Sequence, residues 1–436
     1  MPLTIARLGA PLIALALFAA APRAARAQTS ESDGSVTPDG ATVPDSSTLR
    51  VFVDRCPCRL DYVRTEIPFV NYVRDRTEAD VYVLFTDGHT GSGGRSYTIE
   101  FMGADRFAGR VDTMRLATPQ GATDDERRAT IVRYLKLGLI PFLSQTRAVN
   151  RLDVDYTGPA SAAAANAPPP RDPWNYWVFS TGLSGSGSSE QSSKFVAGNT
   201  SFSADRTTAQ WHLRFYGRGN YAERHFNFSD GSKLTSYTNS YYASAFVAQS
   251  RGPHWSLGGT ASLNSSTQQN QRDALRLAPA VEYSLFPYAE FMRRQLTATY
   301  TVGATATNYY DVTIYGKTRE TLFDQSLRVS YDLTQPWGNF ALSVSGSQYL
   351  HDLSKYAVTT SADGSFRLFR GFSLYFAGNA SRVNNQLYLP LGAASEQDVL
   401  LELRQLQTSY RLSGRMGVSY TFGSIFNNIV NPRLGH

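Results

Sequence analysis

Tyr410-Arg-Leu-Ser-Gly-Arg-Met-Gly-Val-Ser-Tyr-Thr-Phe422 alternates almost without error. Tyr410, Leu412, Gly414, Met416, Val418, Tyr420 and Phe422 share one parity; Arg411, Ser413, Arg415, Gly417, Ser419 and Thr421 share the other. Successive side chains of a strand point to opposite faces, so the stretch reads as a strand with one apolar and one wet, basic face. It is also long enough to cross a hydrocarbon layer at a tilt.

The same parity recurs upstream. Leu296, Ala298, Tyr300, Val302 and Ala304 alternate with threonines and a glycine. Trp211, Leu213 and Phe215 alternate with His212, Arg214 and Tyr216, and Leu327, Val329 and Tyr331 with Arg328, Ser330 and Asp332. From residue 174 onward helix signals nearly vanish. The pattern predicts twelve strands, at 174–186, 194–204, 209–223, 234–248, 254–265, 274–286, 294–307, 323–333, 338–349, 356–369, 371–384 and 405–422, with ten or fourteen as alternatives. Short connections follow the even strands and long polar ones the odd strands. Aromatic residues gather at the short-turn ends: Trp174, Tyr176, Trp177, Trp255, Phe286, Tyr288, Trp337, Tyr420 and Phe422. One-sided loops and an aromatic girdle are features of membrane barrels.

About 250 residues thus resemble a bacterial outer-membrane β-barrel, with no particular transporter family indicated. Arg415 to Phe422 also resembles the polar-x-Gly-x-x-aromatic-x-aromatic signal by which such barrels are recognised for insertion, carried here by Gly417, Tyr420 and Phe422. The resemblance implies two partners, outer-membrane lipid and the barrel-assembly machinery. A tail from Gly423 to His436 departs from barrels that stop at the last aromatic.

The amino terminus agrees with that compartment. Arg7, the apolar run Leu8 to Ala21 and Ala25-Arg-Ala27 read as a signal peptide over residues 1–27. Removing its three arginines lowers the formal net charge from +6 to +3, too little and too dispersed for nucleic acid. No other apolar run reaches 18 residues, which excludes helical spans. The mean hydropathy of −0.30 does not speak against a barrel, because every second strand residue is polar.

Residues 28–47 read as a flexible leader. Residues 48–152 read as a small α+β domain: strands at 49–53, 80–85, 96–102 and 107–116, and a helix over 61–76, with Phe69, Tyr72 and Val73 at helical spacing, whose main part begins near Glu66 with Pro68 in its first turn. A second helix opens on the capping box Thr123-Asp-Asp-Glu126. Residues 153–173, with Pro168-Pro-Pro170, read as a linker; residues 174–422 are the barrel and 423–436 a tail. The fold class expected is therefore an α+β periplasmic domain followed by an all-β antiparallel transmembrane barrel of about twelve strands. The stretch Ala79 to Phe85, its Gly-rich loop, the next strand and the 123–145 helix resemble the amino-terminal domain of TolB and the related domain of CsgG-type proteins. That resemblance implies contacts with a periplasmic protein through residues 48–152.

Cys56 and Cys58 are the whole cysteine inventory. In an oxidising periplasm they are expected to pair. A redox role and half of a metal site are open readings; a structural clip on the turn is preferred. Gly88 to Gly94 lacks the Lys-Ser/Thr end of a phosphate loop and reads as a hairpin. The six histidines lack metal spacing, no Ser-His signature stands out, and no cofactor is expected. The chain is not read as an enzyme, with an outer-membrane lipid hydrolase as the remote alternative. His212, Arg214, Arg218, Arg276, Arg328, Arg367, Arg411 and Arg415 share the inward parity, with Glu282, Asp332 and Asp363 opposing them. Rings of arginine select anions. The expected function is a narrow, anion-favouring outer-membrane pore with a tethered periplasmic domain; the alternative is a barrel that anchors an interaction domain.

Overall fold

The computed structural model describes residues 48–91, 93–153, 155, 172–228, 230–392, 406–424, 428 and 430. The signal peptide, the leader, nearly all of the Pro/Ala-rich linker and most of the tail lie outside the described residues. Two separate sheets form.

The first is a five-stranded mixed sheet built from β1 (Arg50–Asp54), β2 (Asn71–Tyr72), β3 (Val81–His89), β4 (Arg95–Gly103) and β5 (Val111–Thr118), in the order β2-β1-β3-β4-β5. Helices α1 (Leu60–Glu66) and α2 (Asp124–Leu143) belong with it. The core is made by Val83, Phe85, Ile99, Phe101, Ile131, Leu135 and Phe142, each no more than 2% exposed. Phe101 lies so close over Gly138 of α2 that a Cβ there would sit 2.0 Å from its ring, which is why a glycine occupies a helix interior. Both bonds of the Thr123/Glu126 capping box are made, and α2 runs through Pro141 to Leu143.

The first helix differs from the sequence reading. It ends at Glu66, and Asn71–Tyr72 is an edge strand parallel to β1. Pro68 is the cause. A proline disfavours the helical conformation in the residue before it, and Ile67 is non-helical at φ −126° and ψ 66°. The spacing of Phe69, Tyr72 and Val73 is that of a loop and short strand whose buried residues sit against the core.

The second sheet holds twelve strands: β6 (Trp177–Ser189), β7 (Ser193–Thr207), β8 (Trp211–Asn227), β9 (Lys233–Ser250), β10 (Trp255–Ser266), β11 (Gln271–Ser284), β12 (Arg294–Tyr309), β13 (Arg319–Gln335), β14 (Gly338–Tyr349), β15 (Tyr356–Phe369), β16 (Phe372–Val383) and β17 (Tyr410–Tyr420). Each pairs antiparallel with its sequence neighbours, in the order β17 to β6. The fold is an α+β region followed by an all-antiparallel sheet of the β-barrel class. Among the described residues β6 pairs only with β7 and β17 only with β16.

Several strands run farther than the alternation indicated, and this changes the connections. Residues 190–192, 228–232 and 267–270 join strands at one end by short links, so the loop asymmetry read from sequence is weaker than expected. The longer connections at that end are 310–318, 350–355 and 384–409. At the other end, 208–210, 251–254, 336–337 and 370–371 are tight, and 285–293 is the exception, with a short 3-10 turn. No helix among the described residues is long and apolar enough to cross a membrane.

Facing residues of paired strands share a face, so the ladder fixes the two surfaces of the large sheet. One row reads Ser256, Glu282, Thr299, Arg328, Ser345, Thr359, Ser381 and Arg411 across β10 to β17. The adjacent row reads Leu257, Val281, Tyr300, Leu327, Gly346, Val358, Arg382 and Tyr410. The first surface is polar; the second is apolar and exposed, with Leu183, Leu277, Phe323, Leu412 and Met416 each more than half accessible. Near the tight-turn end the apolar surface carries linked aromatic rings: Trp177 with Phe179 and Phe215, Trp255 with Tyr283, Trp337 with Phe366, and Phe372 with Tyr420.

Candidate functional site

The register places His212, Arg214, Arg218, Arg276, Arg328, Arg367, Arg411 and Arg415 on the polar surface of the large sheet. It does not leave them alike. Arg214 is paired with Asp205, and Arg276 with Asp324. Arg276 reaches Asp324 across β12, where Gly303 supplies the clearance: a Cβ there would lie 2.3 Å from the guanidinium. Arg367 is paired with Asp54, a residue of the small sheet. Arg218, Arg328, Arg411 and Arg415 are exposed.

Arg367 marks the place where the two sheets meet. Its two terminal nitrogens donate to both carboxylate oxygens of Asp54, at 2.6 and 2.5 Å, a bidentate pair. The guanidinium also lies over the Phe52 ring at 5.4 Å, and Phe52 stacks on Tyr82, whose hydroxyl donates to Asp54. Asp54 is 4% exposed. Burial pushes its carboxyl up. The hydrogen bonds from Arg367 and Tyr82 and the charges of Arg367 and Arg55 more than offset this, so it stays below the ordinary carboxylate range.

Further contacts extend the junction along the tight-turn end. Arg293, in the β11–β12 connection, pairs with Glu100 of β4, and Arg370, in the β15–β16 turn, pairs with Glu78. The Gly371 amide donates to Asp75 at 2.8 Å. Gly371 has φ +70°, and a Cβ there would lie 2.1 Å from the Thr421 carbonyl, so only glycine suits this turn. Burial also pushes Asp75 up; hydrogen bonds from Thr77 and Gly371 and the charge of Arg370 bring it below its ordinary value. Arg55 contacts Asn339, and the Thr98 hydroxyl reaches the Met292 sulfur at 3.4 Å. The β3–β4 hairpin approaches β7 closely enough that a Cβ at Gly91 would meet Thr207 at 2.5 Å. Beyond β17, Asn428 accepts from the Tyr72 amide at 2.6 Å and donates to the Asn71 side chain at 2.8 Å, so the tail reaches the β2 edge.

The ion pairs across this junction share one polarity. The small sheet contributes carboxylates Asp54, Asp75, Glu78 and Glu100, and the large sheet's rim contributes Arg293, Arg367 and Arg370. Removing one partner of a well-formed buried ion pair costs about 3–5 kcal/mol, because it strands the other charge.

The opposite end is also covered in part. Residues 384–391 of the β16–β17 connection reach back over the β10–β13 side. The Asn270 side chain donates to the carbonyls of Tyr388 and Asp311, Ile314 N–H donates to Leu389, and Leu391 N–H donates to Val312. Leu387 and Leu389 of this strap are buried. Under it lies a cavity of about 270 Å³ lined by Arg276, Tyr309, Asp324, Tyr349, Asn385 and Tyr388.

Gly417, Tyr420 and Phe422 occupy β17 and the residues after it. Tyr375 lies over Gly417, where a Cβ would be 2.3 Å from the ring, and Tyr420 stacks on Phe422. Cys56 and Cys58 are joined in a disulfide, with Cα atoms 5.1 Å apart, on the turn after β1. Gly88 to Gly94 falls in the β3–β4 hairpin. Among the described residues no three His, Cys, Asp or Glu side chains gather as metal ligands.

The sequence reading missed two of the acids that neutralise polar-face arginines. Asp205 lies just beyond the strand that the alternation predicts at 194–204, because β7 runs on to Thr207. Asp324 has the same parity as Arg328 and Asp332 and was legible in principle. The partnership of Asp54 with Arg367 spans 313 residues and leaves no local trace.

No protein family and no curated protein matches the chain. Two solved structures are similar to it at low identity. The translocator domain of the autotransporter NalP from Neisseria meningitidis is 10% identical, with 56% of this chain and 82% of that one covered and a TM-score of 0.19. CdiB from Acinetobacter baumannii is 9% identical, with 86% and 74% covered and a TM-score of 0.24. Scores this low carry no argument about function. The chain's own features, a twelve-strand antiparallel meander with an exposed apolar face and an aromatic belt at one end, are those of an outer-membrane β-barrel.

Proposed function

We propose that the protein is an outer-membrane barrel whose periplasmic mouth is stoppered by its own α+β region, and that release of this region opens the conduit. The bidentate Arg367–Asp54 pair carries the reading. It joins a polar-face strand residue of the large sheet to a buried carboxylate of the small one, in a frame of aromatic rings. An even strand number returns both ends of a barrel to the periplasm, which puts the tight turns and the small sheet on that side. The shared polarity of the rim ion pairs supports a seat that closes and opens as a unit, because each rim arginine has its own carboxylate partner. A periplasmic protein that competes for these carboxylates would favour the released state. The resemblance of residues 48–152 to domains that make periplasmic protein contacts agrees with such a partner.

The expected anion preference belongs to the released state. Arg218, Arg328, Arg411 and Arg415 are exposed on the polar face, and a low-dielectric wall focuses the field of such charges. In planar bilayers the wild type is expected to sit mostly closed. The Asp54→Asn, Glu78→Gln, Glu100→Gln triple variant is expected to conduct, with anions favoured. Equal conductance of the two proteins would contradict the stopper.

A further inference from the structure

We propose that the Cys56–Cys58 disulfide is a thiol-exchange site through which a protein dithiol unlocks the stopper; the proposal rests on the stopper reading above. The two cysteines are two residues apart and directly follow the gripping residues. Asp54 holds Arg367, Arg55 contacts Asn339, and the ring of Cys56, Pro57 and Cys58 begins at the next residue. Arg55 has φ +55°, a left-handed conformation that L side chains adopt at a cost and keep only where their surroundings impose it. The short disulfide ring begins at the next residue and restricts the direction in which the chain leaves Arg55. Asp54 and Arg55 therefore point at the rim as a consequence of the closed ring.

The ring is also reachable. Both cysteines are only half-buried, at the margin of the core, and Pro57 between them is exposed. Arg55 and Arg59 flank them. Neighbouring cations favour a thiolate, which makes each cysteine sulfur a better leaving group in exchange.

The chemistry balances with a dithiol as the reductant. One thiolate of the dithiol attacks the sulfur of Cys56 or Cys58, a new S–S bond forms, and the Cys56–Cys58 bond breaks with the other cysteine leaving as a thiolate. The second thiol of the reductant, after losing its proton, attacks the mixed disulfide. The products are two cysteine thiols and the oxidised reductant, and two electrons pass to the protein. With the ring open, Arg55 relaxes to an extended conformation and the turn no longer presents Asp54 to Arg367.

Hydrogen–deuterium exchange of the full-length protein in detergent, with and without dithiothreitol, tests this. Three samples are compared: oxidised wild type, reduced wild type, and the oxidised Asp54→Asn, Glu78→Gln, Glu100→Gln variant. Alkylation followed by mass measurement counts the thiols. Reduction is expected to expose two thiols and to speed exchange of the rim peptide 366–374 about tenfold, as the charge variant does, while α2 stays protected. The Cys56→Ser, Cys58→Ser variant is expected to show the fast rim exchange without reductant and no response to it. The proposal is overturned if the folded protein yields no thiols, or if two thiols appear and the rim stays protected while the charge variant deprotects it. If the charge variant itself leaves the rim protected, the stopper reading fails instead.

Discussion

Phe101 of β4 and Leu277 of β11 are both large apolar residues on antiparallel strands, yet the first has no exposed surface and the second is 56% exposed. The small sheet folds as a water-soluble body does. It turns Phe101, Ile99 and Phe85 into a core that α2 covers. The large sheet inverts this arrangement, with its leucines outward and its arginines, serines and threonines on the other face. Identical strand geometry thus serves two solvents, and only the direction of the apolar parity differs. The hydrophobic effect stabilises the first in water; the second, with its apolar face outward, suits a hydrocarbon surround. The junction between them combines ion pairs with polar and apolar contacts, such as Thr98 with Met292.

The contrast can be broken by substitution. Phe101→Ala should destabilise the small sheet by about 4 kcal/mol, because it removes transfer energy and leaves a cavity against Gly138. Leu277→Ala should cost under about 1 kcal/mol in bilayers, since lipid tails fill the gap as well as leucine does. Urea unfolding followed by proteolysis of residues 48–152 reports the first, and heat-modifiable gel mobility the second. Similar losses at both positions would mean that the large sheet buries Leu277 against protein.

Acid should separate the two sheets before it unfolds either. The Asp54 carboxyl is held below its ordinary value when seated, so its contribution is complete above about pH 3.9 and is lost as the pH falls through the seated value. Asp75 moves in the same direction. Protonation should weaken the seat by about 2 kcal/mol, the worth of a hydrogen bond to a charged group. Protection of the rim amides, corrected for the intrinsic slowing of exchange in acid and followed between pH 7 and pH 3, should therefore fall only below about 4. Release that sets in near neutral pH would point to a different group.

A smaller effect lies within the small sheet alone. Thr123→Ala removes the cap of α2 and should lower its stability by about 1 kcal/mol without changing the large sheet. Thermal melts of the two regions, followed by proteolysis and by gel mobility, should shift for the first and not for the second.

The large sheet was legible because its period of two is set residue by residue. All twelve strands overlap the stretches where the alternation placed them, several running farther, and the parity of Arg328 and Arg411 follows the ladder. The capping box was legible for the same local reason. The first helix was not, because the helical spacing of Phe69, Tyr72 and Val73 outweighed the restriction that Pro68 places on Ile67. The junction was not legible at all. Asp54, Glu78 and Glu100 are unremarked carboxylates in sequence, and only the folded chain sets them opposite Arg367, Arg370 and Arg293.

The central claim is that the rim pairs hold the conduit shut, and single-channel conductance over a double-mutant cycle tests it most directly. Asp54→Asn, Arg367→Gln and the double variant are compared with wild type in planar bilayers. The expected result is a mostly closed wild type, two single variants each opened about tenfold or more, and a double variant no more open than either single, because the two substitutions break one interaction. Strictly additive effects, or a wild type as open as the variants, would contradict the account.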